Sequence, residues 1–157
     1  MSDGSSLLFG AIPAHLNFST AERRRLRSFL RALSREVTGG RAFACLITND
    51  RELRRLNHDF LGRDYATDVL SFPAANGNGN LGEIAISVER ATTQAAEFGH
   101  ATTDEICILM LHGVLHLAGM DHERDNCEMQ RVEENWRAEF GLPSSLIARA
   151  FATRRSK

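Results

Sequence analysis

The segment from Thr103 to Ala118 is apolar on nearly every side of the helix that its sequence predicts. Its apolar side chains are Ile106, Cys107, Ile108, Leu109, Met110, Leu111, Val114, Leu115 and Leu117. A helix without a polar face is stable only when other elements surround it, so we expect this one to run through the core. Thr102, with Glu105 three residues later, predicts a capping box at its start.

Two histidines interrupt this apolar helix. His112 and His116 are four residues apart, so their side chains rise from one face about 5–6 Å apart. Gly119 can end the helix and turn His122 back over the same ion. Three imidazoles suit zinc and leave its fourth position for water, as a catalytic site requires. The sequence therefore favours an open metal centre with one zinc ion, and core histidines without metal are the alternative.

The spacing H-x-x-x-H-x-x-G-x-x-H is the ligand spacing of metzincin metalloproteases. In those enzymes a glutamate directly after the first histidine is the general base. This chain has Gly113 at that position, and the sequence indicates no other residue as the general base. Peptidase activity is therefore disfavoured.

Three segments of the chain, taken in order, carry a resemblance to a known family. Thr67–Pro73 reads T-D-V-L-S-F-P, Leu81–Ser87 reads L-G-E-I-A-I-S, and His112–His122 reads H-G-V-L-H-L-A-G-M-D-H. They resemble the signatures of the YbeY family of metal-dependent endoribonucleases, also called rRNA maturation factors.

The resemblance implies a zinc-dependent, single-strand-specific endoribonuclease that acts in ribosomal RNA maturation and ribosome quality control. The implied metal ligands are His112, His116 and His122. The implied partners are single-stranded RNA, ribosomal RNA and the small ribosomal subunit or its proteins, with no DNA. Asp121 and Glu123 flank His122 and are candidates to hold a ligand ring, although Asp121 could equally stabilise its own turn.

One position departs from the family pattern. The family usually has arginine immediately before the glycine that precedes T-D-V-L-S-F-P, whereas this chain has Leu61 before Gly62. Arg63 lies two residues on and would share a side with Leu61 in an extended chain. We expect Arg63 to contact RNA, and an ordinary solvated charge is the alternative. Two other functions remain as alternatives. The missing arginine favours one of them, an RNA-binding ribosome-assembly factor with little catalysis. The other is a zinc hydrolase of another substrate.

Composition predicts a single globular domain over the 157 residues, with flexible tails at residues 1–6 and 152–157. The formal net charge of -1 means that RNA binding needs a local basic surface. We expect the arginines of the helix from Thr20 to Glu36 to be solvated rather than bound to RNA. Three cysteines are too few for a disulfide framework and suggest reduced thiols, including Cys127. No targeting or membrane segment is visible, so a cytoplasmic protein is expected.

Hydrophobic periodicity predicts an α+β fold: a small mixed four-stranded sheet covered by about five helices, with a buried metal-ligand helix. The predicted strands are Leu7–Ile12, Ala42–Thr48, Val69–Phe72 and Leu81–Ser87, of which the last two form an antiparallel pair. The other predicted helices are Thr20–Glu36, Arg51–Phe60, Val88–Phe98 and Asp125–Phe140, with Asn49 or Asp50 and Ser87 as caps.

Overall fold

The computed structural model describes residues 4–64, 67–75, 79–119 and 128–143. Within these ranges one sheet contains the strands β1 (Ser6–Phe9), β2 (Ala42–Thr48), β3 (Val69–Pro73) and β4 (Asn80–Ser87). The α-helices are α1 (Thr20–Ala32), α2 (Asp50–Leu61), α3 (Val88–Phe98), α4 (Thr102–Leu117) and α5 (Glu128–Phe140). A short 3-10 turn at Ala14–Leu16 precedes α1, and a π-helical turn at Leu33–Val37 follows it.

The sheet is mixed, with the strand order β1-β2-β4-β3. β1 pairs with β2 and β2 with β4 in parallel, whereas β3 pairs with β4 antiparallel. Successive side chains of a strand point to opposite faces. Ile84 and Ile86 of β4 therefore join the core around α4, while Ala85 packs with Leu53 of α2 on the other face. The predicted α+β class and mixed four-stranded sheet are confirmed.

The helix α4 crosses the core, as its composition predicted. Every side chain from Ile106 to Leu111 is at most 1% exposed. The sheet lies against one side of α4, and α1, α3 and α5 contact it on others. In the described part of the chain, no helix is both long and apolar enough to cross a membrane.

Two of the predicted helix caps are present. The Asn49 side chain accepts a hydrogen bond from the Glu52 backbone N–H at 2.8 Å, at the start of α2. The Ser87 hydroxyl accepts one from the Arg90 backbone N–H at 3.2 Å, at the start of α3. Short polar side chains at these positions satisfy N–H groups that have no partner inside the helix.

The predicted capping box of Thr102 and Glu105 is wrong. Ala101 occupies the N-cap of α4 and makes no side-chain cap bond, and Thr102 is the first helical residue. The Glu105 carboxylate is instead buried against His100, with 2.6 Å between Oε1 and Nε2. Glu105 therefore pairs with the His100 side chain instead of capping the backbone at Thr102.

The first strand lies earlier than predicted. β1 begins at Ser6 rather than Leu7 and ends at Phe9 rather than Ile12. The Gly10 backbone N–H still donates to Ile47 O at 2.8 Å, and beyond Gly10 the chain turns away from the sheet. The Ser5 hydroxyl accepts from the Phe43 backbone N–H at 3.1 Å. Residues 5 and 6 therefore belong to the sheet region and not to a flexible tail. Residues 152–157 and the predicted start of α5 at 125–127 lie outside the described residues.

The thiols of Cys45 and Cys107 are free and buried, as expected for reduced cysteines, and Cys127 lies outside the described residues. Burial raises the pKa of Cys45 and raises the pKa of Cys107 to about 12. The folded state therefore favours the neutral thiols. The stability that they contribute is complete below the ordinary thiol pKa of 9.0 and is lost progressively as pH rises above it.

We expect Cys45 and Cys107 to resist iodoacetamide at pH 8 in the folded protein, since the thiolate is the reactive form. In urea both should be alkylated at the rate of a free cysteine. Pulse labelling followed by peptide mass spectrometry measures each site separately. Equal labelling of Cys107 with and without urea would contradict the burial seen here.

Candidate metal centre

His112 and His116 face each other on the C-terminal half of α4. Their Nε2 atoms are 3.2 Å apart, their ring centroids are separated by 4.7 Å, and the ring planes cross at 71°. His112 is buried and His116 is partly exposed. The pair therefore lies at the border of the core, where solvent reaches one ring.

The separation of the two nitrogens fits a shared tetrahedral metal ion. Zinc binds imidazole nitrogen at about 2.0–2.1 Å, so two ligands at a tetrahedral angle lie about 3.3 Å apart. The observed 3.2 Å is close to that value. The predicted third ligand, His122, lies outside the described residues, and within the described ranges no group of three metal-ligating side chains occurs. The structure thus brings two of the three predicted ligands together.

A carboxylate from α5 holds the buried histidine. Glu133 Oε1 lies 2.6 Å from His112 Nδ1, and the Glu133 side chain is fully buried. Sequence reasoning missed this residue and named Asp121 and Glu123, which lie outside the described residues. A signal was present, because Glu133 falls on the apolar face of α5 that includes Met129 and Trp136. A charged residue on an apolar helical face indicates a buried partner.

The residue after the first histidine faces the sheet. A Cβ atom added to Gly113 would lie 2.9 Å from Ile84 Cγ2, and the Gly113 carbonyl accepts from the Ser71 hydroxyl at 3.2 Å. A glutamate at this position would meet the core side chain of Ile84. The glycine therefore allows α4 to pack closely against β4.

We expect Gly113→Ala to lower the free energy of unfolding by about 1 kcal/mol. Overpacking against Ile84 costs about 1–3 kcal/mol, which exceeds the ~1 kcal/mol by which alanine favours a helix. Urea unfolding of the two single variants and the double variant with Ile84→Ala measures the coupling. An equal loss in the Ile84→Ala background would show that the contact is not the cause.

Arg63, the residue expected to contact RNA, lies just beyond the end of α2. This helix packs on the face of the sheet opposite to α4. Leu61 is the last residue of the helix, Gly62 is left-handed with φ 68°, and the Arg63 N–H donates to Asn57 O at 3.2 Å. The extended chain assumed for Leu61 and Arg63 is therefore absent. The Arg63 side chain is exposed, and Leu61 is 41% exposed. Within the described ranges, no hydrogen bond or ion pair joins the Arg63 side chain to His112 or His116.

Other residues of the resemblance segments have structural partners. Asp68 accepts from the Gln94 side chain at 3.0 Å, and its carbonyl accepts from the Ser87 N–H. Gly82 has φ 133°, and a Cβ there would lie 2.2 Å from Phe72 O. Only glycine allows this close approach of β3 to β4. These positions fix the sheet on which α4 lies.

The chain is an α+β domain whose central helix carries two histidines at the spacing of metal ligands. A family model described as Endoribonuclease YbeY matches residues 16–141. The chain therefore belongs to the endoribonuclease YbeY family.

Individual relatives agree with this assignment. The Endoribonuclease YbeY of Solibacter usitatus is 54% identical over 147 residues, which cover 94% of this chain and 95% of that protein. The Endoribonuclease YbeY of Koribacter versatilis is 55% identical over 104 residues, covering 66% of this chain and 68% of that protein. The solution structure of TM1509 from Thermotoga maritima is 25% identical, with a TM-score of 0.59, and the match covers 86% of this chain and 91% of that one.

Proposed function

We propose that this chain is a zinc-dependent, single-strand-specific endoribonuclease that acts in ribosomal RNA maturation and ribosome quality control. The observation that carries the proposal is the 3.2 Å separation of His112 Nε2 and His116 Nε2 in a chain of the endoribonuclease YbeY family. His112, His116 and His122 form the proposed ligand set for one zinc ion. Residues 1–157 form one domain in this proposal.

The reaction is the hydrolysis of an RNA phosphodiester bond. Zinc held by these histidines would supply Lewis acidity toward a phosphoryl oxygen. The protein fixes the histidine nitrogens, since α4 is packed on several sides and its rotamers are restrained by neighbours. The partly exposed ring of His116 leaves the pair accessible to a strand of RNA. Single strands suit such a site because their backbone is not held in a duplex.

Arg63 is the proposed contact with the RNA backbone away from the histidines. Its guanidinium is exposed, and the neighbouring carboxylate of Asp64 pairs with Arg54 at 3.2 Å. The left-handed Gly62 and the bond from Arg63 N–H to Asn57 O fix its backbone. A guanidinium on a fixed backbone can bind a phosphate through two parallel N–H groups. Ribosomal RNA and the small ribosomal subunit or its proteins are the proposed partners, in the cytoplasm and without DNA.

We expect purified protein to contain about one zinc per chain and to cleave single-stranded RNA. His116→Ala should lose both, because two ligands hold zinc far less well than three. His15→Ala is the matched control, since His15 is exposed on the 3-10 turn before α1. Elemental analysis and cleavage of a labelled single-stranded RNA measure the two properties on the same samples.

The outcomes separate the three candidate functions. Zinc without cleavage of any RNA would favour an assembly factor with a structural metal. Cleavage of casein as readily as RNA would favour a zinc hydrolase of another substrate. Full zinc content in His122→Ala would remove that residue from the ligand set.

Leu61 allows a separate test of the phosphate contact. Because Leu61 is 41% exposed, a charge there remains in water and Leu61→Arg should change the free energy of unfolding by no more than about 0.5 kcal/mol. We expect tighter RNA binding and therefore faster cleavage at limiting RNA, with each tenfold gain in kcat/KM equal to about 1.4 kcal/mol. Leu61→Gln, which adds polarity without charge, is the control. Equal kcat/KM of the two variants, at equal melting temperature, would show that this position does not face the RNA.

A further inference from the structure

We infer that Glu133 is a positioning residue that holds the His112 ring with its Nε2 lone pair directed at the zinc ion. The inference rests on the proposed zinc site. Glu133 Oε1 lies 2.6 Å from His112 Nδ1, although 21 positions separate the two residues in the chain. The contact joins α5 to α4 at the first ligand.

The hydrogen bond selects one of the two ring nitrogens. A neutral imidazole carries its proton on Nδ1 or Nε2, and only the other nitrogen can bind a metal. An ionised carboxylate can only accept, so we assign the ring proton of His112 to Nδ1, which then donates to Glu133 across the 2.6 Å contact. The lone pair then lies on Nε2, which is the atom 3.2 Å from His116 Nε2. One contact therefore fixes both the tautomer and the direction of the ring.

The Glu133 carboxylate lies in a buried environment. Its side chain is 0% exposed, and Met129 one turn earlier is equally buried. A carboxylate in such a place is costly unless a positive charge faces it. A zinc-bound imidazole supplies more positive charge than a neutral ring alone. A zinc ion bound to Nε2 of His112 would place positive charge on the ring that this carboxylate contacts.

A second buried histidine–glutamate pair, near the start of α4, provides a comparison. His100 Nε2 lies 2.6 Å from Glu105 Oε1, and Glu105 is also 0% exposed. This pair joins the connection between α3 and α4 at the opposite end of α4 from His112 and His116. The His100 ring stacks on Phe98, with 6.5 Å between centroids. Loss of either glutamate removes a buried carboxylate, whereas only Glu133 contacts a proposed ligand.

The test compares Glu133→Gln with Glu105→Gln in the full chain. Zinc affinity is measured by competition with a chromophoric chelator, and the geometry of the site by the visible absorption of the cobalt(II) form. We expect Glu133→Gln to bind zinc about 10–100-fold more weakly and to change the cobalt spectrum. Glu105→Gln should keep the wild-type affinity and spectrum, even if both variants lose stability in urea.

The results distinguish this inference from the proposed function. Wild-type protein that binds no zinc would overturn both. Wild-type protein that binds zinc, together with Glu133→Gln of equal affinity and spectrum, would overturn only the role of Glu133. If the Gln variant does not fold, Glu133→Met replaces the buried charge with an apolar side chain of similar size, a change that is often tolerated. Wild-type zinc affinity in the Met variant would also overturn the inference.

Discussion

The close packing of α4 on β4 determines where the histidine pair lies. Gly113 brings the helix near enough to the sheet that a single added methyl group would meet Ile84. With that side of the helix against the sheet, His112 on the neighbouring flank meets α5 and Glu133. The geometry of the proposed ligands is therefore a consequence of core packing, and core packing is rigid. A rigid support is what a preorganised site requires.

Patterns that depend on neighbours in sequence predicted the fold well. The apolar composition of α4, the caps Asn49 and Ser87 and the antiparallel pair β3–β4 were all confirmed. The predicted box at Thr102 and Glu105 failed because a tertiary partner, His100, holds the carboxylate. Contacts between distant residues decide such cases, and no local pattern contains them.

The candidate site was predictable only in part for the same reason. The i, i+4 spacing of the histidines is local, and the structure brings the two rings together as expected. Glu133 comes from another helix, and its partner could not be named without the packing of α5 on α4. Ser71, in the segment Thr67–Pro73, donates to the α4 backbone, and Gly82, in the segment Leu81–Ser87, allows β3 to approach β4 closely. The segments that resemble the family therefore include residues that hold the sheet and α4 together, as well as the histidines.

The position of α4 late in the chain affects how the protein forms on the ribosome. The apolar side chains Phe43, Cys45 and Ile47 of β2 belong to the core that α4 completes, and α4 ends about 70 residues after β2. At synthesis rates of about 5–20 residues per second, the end of α4 is synthesised roughly 4–14 s after these apolar side chains. The core cannot be completed before α4 has been synthesised, because α4 supplies many of its buried side chains.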